Sequence, residues 1–301
     1  MEFGRVTTET LTNIDFSLPK DDRQNNRFFN SKQKTKLFLG CAKWGRKDWV
    51  GKLYPQGTKE KDFLAHYVKH FNCIEMNATH YRVFGQSVIE KWRDTSSDGF
   101  VFCPKFTNTI SHLRRLKNCQ RETLLFIEQI QYLGDHLGPA FLQLHQNFGP
   151  KSFEDIQNYL QSLPKDLEVF LEVRHPEWFS DPVAYQELAQ LCEENGIGWL
   201  ITDAAGRRDV CHCRLTRSKA MVRFVGNSLH PSDYKRMDDW VMKMGEWISK
   251  GLEEIYFFMH QHDELYSPEL IAYLIKEMNA KYKMSIPPLN LIDPDSQQEL
   301  F

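Results

Sequence analysis

The chain has 301 residues, 41% hydrophobic and 13% aromatic, enough for a full-sized core and within the range of either two domains or one α/β barrel of roughly 200 to 300 residues. Its 38 Lys and Arg against 40 Asp and Glu leave a net charge of −2, which excludes a global basic field for nucleic acid but leaves room for a local basic pocket. The 7 cysteines are odd in number and scattered through apolar segments, as expected of reduced thiols, and no run approaches the roughly 20 apolar residues of a membrane span. A soluble cytoplasmic protein is the expectation, with no membrane partner.

Residues 1–35 are polar and lack sustained periodicity, and so read as an N-terminal extension. Residues 36–285 form the candidate domain and 286–301 a C-terminal tail. Within the domain, apolar runs at Leu37–Cys41, Cys73–Asn77, Phe100–Lys105, Ala140–His145, Leu167–Arg174, Gly198–Asp203, Ala220–Val225 and Ile255–His260 read as strands. Helix-like stripes separate most of them, such as Phe63, Leu64, Tyr67, Val68 and Phe71, or Leu124, Ile127, Ile130 and Leu133. Ser87 with Glu90, Ser152 with Asp155, Asp181-Pro182 and Ser267-Pro268 supply helix-start signals. Residues 204–218, "AAGRRDVCHCRLTRS", read as a loop where a sixth helix should stand.

Strands alternating with helices predict a parallel sheet, and eight such units predict a single TIM-type (β/α)8 barrel with one irregular or missing helix. A doubly wound nucleotide fold would carry G-x-G-x-x-G after its first strand, which "GCAKWG" does not supply. No Gly/Ser-rich linker marks a second domain.

Side chains alternate along a strand, so one parity should face the helices and the other the interior. The inward sets are predicted to be Cys73, Glu75, Asn77; Val101, Cys103, Lys105; Phe141, Gln143, His145; Phe170, Glu172, Arg174; Trp199, Ile201, Asp203; Met221, Arg223, Val225; and Tyr256, Phe258, His260. Most begin apolar and end polar. That gradient places an active site at the strand C-termini, where enzymes of this fold keep their chemistry.

The stretches "CIEMNATHYRVF", "FCPKFTNTISH", "LGPAFLQL", "LEVRHPEWF" and "VRFVGN" resemble the ordered motifs of the YecE-like family, known as domain of unknown function 72. The likeness runs from about Leu37 to Asn279. It implies a TIM-type barrel and no established reaction, and it carries over Glu75, Asn77, Thr79, Tyr81, Arg82, Lys105, His112, Gln143, Glu172, Arg174, His175, Trp178, Arg223 and Gly226. The chain departs from the pattern at His145-Gln146, where the family has Pro-Pro, at Val225, where it has His, and at Phe258-Met259-His260, where it has Phe-Asn-Asn.

Glu172, Glu75, His175 and Asp203 are thus the candidate catalytic groups. Asn77, Tyr81, Arg82, Lys105, Gln143, His145, Arg174, Trp178, Arg223 and His260 are the candidate substrate contacts. Arg174, two residues from Glu172 on one strand face, should hold that carboxylate ionised, which suits a base, a metal ligand or an anchor better than a general acid. A structural ion pair is the competing reading. Glu172, Asp203, His145 and His260 offer donors for a divalent metal, but without helix-borne ligand spacing. Lys43, Arg82, Lys105, Arg174 and Arg223 suit a phosphate or carboxylate. The expected function is an enzyme, a hydrolase or lyase, acting on an anionic, phosphorylated or nucleotide-like substrate. Two alternatives stand beside it: a metal-dependent phosphodiesterase resembling the barrels that cut abasic DNA, and a non-catalytic protein that binds an anionic ligand or nucleic acid.

Overall fold

A computed structural model of the chain describes residues 3–292; most of the tail expected at 286–301 lies outside them. The strands are β1 (Lys36–Cys41), β2 (Cys73–Met76), β3 (Val101–Pro104), β4 (Ala140–Gln143), β5 (Val169–Glu172), β6 (Gly198–Trp199), β7 (Ile201–Ala204), β8 (Lys219–Gly226) and β9 (Glu254–Gln261). All ladders are parallel, grouped as β1-β9-β8-β7, β2-β3 and β4-β5-β6. Helices such as Gln86–Thr95, Gln120–Gln131, Phe153–Ser162, Pro182–Glu194, Pro231–Lys250 and Ser267–Tyr282 alternate with them, giving a mixed α/β fold. None of the described helices is long and apolar enough to cross a membrane.

Helix starts follow the sequence signals unevenly. Asp181 Oδ1 accepts from the backbone N–H groups of Val183 and Ala184 ahead of Pro182, as a capping side chain should. Ser152 stands at a helix start without a side-chain cap bond, and Gly85 rather than Ser87 precedes the helix Gln86–Thr95. Ser267 is itself helical and donates to Glu264 Oε2 at 2.7 Å.

Where backbone ladders stop, other bonds bridge the strands. Between β1 and β2, Leu39 N donates to Asn72 Oδ1 at 2.8 Å, Asn72 Nδ2 to Leu37 O at 2.9 Å, and Cys41 N to the Tyr67 hydroxyl at 2.7 Å. The same hydroxyl donates to Cys73 O at 3.0 Å. The strands approach so closely that a Cβ on Gly40 would lie 2.1 Å from Cys73 O. Between β3 and β4, Gly138 N donates to Phe102 O and Phe106 N to Phe141 O, at 2.8 and 3.0 Å. β6 runs into β7 through Leu200, whose N–H donates to Leu171 O at 2.9 Å.

One face of the strands packs on the helices through two large apolar clusters. The other face forms an inner cluster of Cys73, Cys103, Phe141, Phe170, Leu200, Met221, Tyr256 and Phe258, with Phe38 stacked on Tyr256 at 4.6 Å. The predicted parity holds in this cluster except at residues 198–204, where it is reversed. Trp199 and Ile201 join the helix-facing clusters, while Leu200 and Thr202 face inward.

Residues 204–218 form no α-helix; a 3-10 turn, Ala205–Val210, leads into extended chain. The N-terminal extension covers this stretch. Leu11 and Phe16 pack with Ala205, Gly206 N donates to Gly4 O at 2.9 Å, and buried Asn25 bonds both Cys213 O and Leu215 N. Asp21 then joins the extension to the helix Pro231–Lys250 through Lys243 Nζ and Trp247 Nε1, at 2.9 and 3.0 Å.

Candidate functional site

The residues that follow the strands at their C-terminal ends gather around one cavity of about 760 Å³. At its floor lies Arg223, on β8 and fully buried. Its Nε and Nη2 donate to Glu75 Oε2 and Oε1 at 2.7 and 2.8 Å, and its Nη1 donates to Glu172 Oε2 at 2.8 Å. The planar guanidinium thus joins a carboxylate from β2 to one from β5, in the fork geometry that Arg supplies and Lys cannot.

Each carboxylate has further partners. Glu172 Oε1 accepts from Arg174 Nε at 2.6 Å and from the Thr202 hydroxyl at 2.9 Å. Glu75 accepts from Asn77 Nδ2 and contacts His260 Nε2, both at 2.8 Å. His260 Nδ1 lies 3.5 Å from Glu264 Oε1. Burial alone would raise both inner carboxyls, but Arg174 and Arg223 bring Glu172 down to about 2, and Arg223 with His260 holds Glu75 well below the carboxylate range. Burial would lower His260, yet Glu75 and Glu264 on its two sides raise it above the ordinary imidazole value. Its two ring nitrogens thus face two carboxylates.

The cavity wall has a different character. Lys105 Nζ donates to a neutral acceptor, Gln143 Oε1, at 2.8 Å. Burial, then the cations Arg223 and Arg174, bring its ammonium down to about 7 against the pull of Glu172 and Glu75. His80 and His112 are both lowered to about 4, by burial first and the charge of Lys105 second. They are neutral at pH 7. His80 Nδ1 lies 2.7 Å from the carbonyl of Phe106; a carbonyl only accepts, so Nδ1 carries the proton and Nε2 the lone pair. Ser111 donates its one hydroxyl hydrogen to Thr107 O and so accepts from His112 Nδ1 at 2.8 Å, which fixes the same tautomer there. Among the described residues Arg174 Nη2 is buried without a hydrogen-bond partner, and Phe3 lies against that guanidinium with its ring centroid 4.0 Å away.

Of the residues singled out in the sequence, Asn77, Tyr81, Lys105, Gln143, Arg174, Arg223 and His260 line the cavity, with Glu75 and Glu172 directly beneath. Tyr81 stands at the rim, 75% exposed. His145 stands behind His112, their ring centroids 5.5 Å apart, and is held by Asn147.

Four residues lie elsewhere. Asp203 points to the helix layer, where it accepts from Arg236 Nη2 at 2.8 Å, from Trp240 Nε1 at 2.7 Å and from Arg208; Thr202 occupies the inward position expected of it. Trp178 is fully buried and donates to Phe148 O at 2.7 Å, a packing role. His175 covers Gly149 and accepts from Glu177 N, while exposed Arg82 stacks over Phe84 at 4.3 Å. The metal-donor candidates are therefore not brought together: Asp203 faces away, and both nitrogens of His260 are taken up by Glu75 and Glu264. Among the described residues no three His, Cys, Asp or Glu side chains form a group that could hold a metal ion.

Sequence reasoning missed His80 and Glu264. His80 sits inside the quoted "NATHYR" motif, on the turn Ala78–Tyr81 directly after β2, and that position was its only signal. Glu264 lies four residues beyond His260, past the end of β9.

The fold and site thus describe a parallel-stranded α/β protein with a network of buried charges beneath an open cavity at its strand C-termini. The model of the family described as "protein of unknown function DUF72" matches residues 38–293, and the chain belongs to that family. It is 28% identical over 280 residues to the UPF0759 protein YecE of Escherichia coli O157:H7, covering 87% of this chain and 98% of that protein. It is 25% identical over 172 residues to the UPF0759 protein YunF of Bacillus subtilis strain 168, covering 54% and 58%. A crystal structure of a DUF72 family protein from Enterococcus faecalis V583 superposes with a TM-score of 0.64 at 17% identity, over 83% of this chain and 99% of that one.

Proposed function

We propose that the strands close into one (β/α)8 barrel and that its mouth binds the anionic group of a phosphorylated or nucleotide-like small molecule, on which this protein acts as a cytoplasmic enzyme. Closure is supported by the bonds that bridge each gap between ladders, from Tyr67 and Asn72 at one seam to Gly138 and Phe106 at another.

The anion reading rests on one observation. Arg174, Arg223 and His260 take up Glu75, Glu172 and Glu264, and among the described residues this leaves Lys105 without a salt bridge and Arg174 Nη2 without an acceptor. A buried donor left unpaired carries a desolvation cost that an entering acceptor removes. An oxyanion at Arg174 would supply that acceptor. The metal-dependent phosphodiesterase reading lacks comparable support, because its candidate ligands are dispersed.

Calorimetric titration with inorganic phosphate and pyrophosphate tests the proposal. One site is expected, tighter at pH 6 than at pH 8 because Lys105 gains its proton as pH falls through about 7. Arg174→Met should weaken binding about 10- to 100-fold, the worth of one charge-assisted hydrogen bond. Heat that is unchanged by Arg174→Met, or no binding at millimolar anion, would sink it.

A further inference from the structure

Lys105 differs from the other cations of the cavity. Arg174 and Arg223 are bound to carboxylates, whereas among the described residues Lys105 Nζ donates only to the neutral oxygen of Gln143 and lies over the ring of Phe141. Its ammonium is brought down to about 7, so near neutral pH about half of it is free amine. An ordinary lysine, with a value near 10.4, is free amine in only about 1 part in 2,500 at pH 7. A desolvated lysine beside other cations is the arrangement that activates an amine toward carbonyl carbon.

We propose that Lys105 is a nucleophile, forming an imine through Nζ with an aldehyde or ketone whose phosphate or carboxylate is held by Arg174; the second half of this statement rests on the anion-binding reading above. The Nζ lone pair attacks the carbonyl carbon, a C–N bond forms, and the C=O π pair moves onto oxygen, which takes up a proton. Nitrogen releases a proton in the same stage, giving a carbinolamine. Protonation of its hydroxyl and departure of water then break the C–O bond while the nitrogen lone pair forms C=N, giving the protonated imine, and loss of the remaining N–H proton gives the neutral imine, so that carbonyl plus amine yields imine plus water with no change of oxidation state. His80 and His112 line the same cavity with their Nε2 lone pairs unprotonated. They are the groups placed to take the proton from nitrogen and return it to the departing hydroxyl. Once the imine is protonated, its charge faces Glu172 and Glu75, the two carboxylates that already act on the Lys105 ammonium.

Reductive trapping tests this on the intact chain. Wild-type protein is incubated at pH 7 with sodium cyanoborohydride and either glycolaldehyde phosphate or glycolaldehyde, then read by intact mass and peptide mapping. The expected result is one adduct, mapped to Lys105, forming about 10-fold faster with the phosphorylated aldehyde, a margin within reach of one charge-assisted hydrogen bond. Arg174→Met should remove that preference and, because the Arg174 cation helps to lower the Lys105 ammonium, should slow labelling by both aldehydes alike. Folded Lys105→Met, checked by circular dichroism, should lose this adduct alone. Adducts spread over other lysines with Lys105 unlabelled would overturn the imine, even where calorimetry shows phosphate binding. Equal labelling by the two aldehydes would leave Lys105 a nucleophile and overturn the anionic half. The wild-type peptide map decides the first point even if Lys105→Met fails to fold.

Discussion

Two networks of buried charge lie on opposite faces of the same strands. The inner one joins Glu75, Arg223, Glu172 and Arg174; the outer one joins Asp203, Arg236 and Asp233 against the helix Pro231–Lys250. Both are buried, and among the described residues each contains a guanidinium nitrogen without a partner, Nη2 in Arg174 and Nε in Arg236. Their surroundings differ. Arg236 lies between the rings of Phe224 and Phe16, at 4.1 and 5.3 Å, whereas Arg174 meets one ring, Phe3, at 4.0 Å. Arg174 lines a cavity beside a lysine that lacks a carboxylate. Burial and perturbed ionisation are common to a strut and a site, so access and an unfilled valence are what separate them.

The largest effect should come from cutting the inner network at its centre. Arg223→Met strands Glu75 and Glu172 together, and loss of one partner from a buried pair costs about 3 to 5 kcal/mol. The expected loss is at or above that range, measured by chemical denaturation. A variant within about 1 kcal/mol of wild type would show that the inner carboxylates are solvated and would dissolve the comparison.

Asp203→Asn should act on stability alone. It leaves Arg236 with only its longer pair to Asp233, at 3.4 Å, and should cost about 3 kcal/mol, the lower end of the same range because that pair remains and Arg208 can turn to solvent. Phosphate affinity per folded molecule should be unchanged. A drop in affinity equal to that of Arg174→Met would place Asp203 back in the site.

The smallest effect is a slope. The folded chain holds the Lys105 proton only up to about pH 7, whereas the unfolded chain holds it to about 10.4. Between those values the unfolded state binds more protons, so stability rises with pH, by at most about 1.4 kcal/mol per unit from this group. Denaturation midpoints across that window should climb less steeply in Lys105→Met than in wild type. Parallel curves would show that Lys105 titrates as an ordinary surface lysine.

What the sequence made legible follows from where side chains find their partners. The apolar-to-polar gradient placed Glu75, Lys105, Gln143, Glu172, Arg174, Arg223 and His260 at one end of the strands, because each inward set mixes two kinds of residue and its parity can be read. Residues 198–204 are buried on both faces, so alternation carried no information there, and a charged Asp203 looked like a mouth residue. Its true partners, Arg236 and Trp240, lie more than thirty residues on, in a helix whose facing side could not be assigned. Trp178 and His175 are site candidates through the motif resemblance, yet the chain turns at Pro176 and packs them against Phe148 and Gly149. The seam between β1 and β2 was invisible for another reason: a tyrosine hydroxyl and an asparagine amide replace the ladder, and neither has a backbone pattern to read.

The N-terminal extension stands where a helix is missing, and the order of synthesis gives that substitution a consequence in time. Asp21 leaves the ribosome early, but its partners Lys243 and Trp247 lie 222 and 226 residues later in the chain. Contacts of such separation carry the largest loop-closure cost and form slowly. Ala205 and the stretch that follows it are therefore made, and left uncovered on that side, before the strap that covers them has its anchor. A segment translated before the stretch it covers is thus among the last to be placed, and a nascent chain must hold its apolar Leu11 and Phe16 out of other contacts until then.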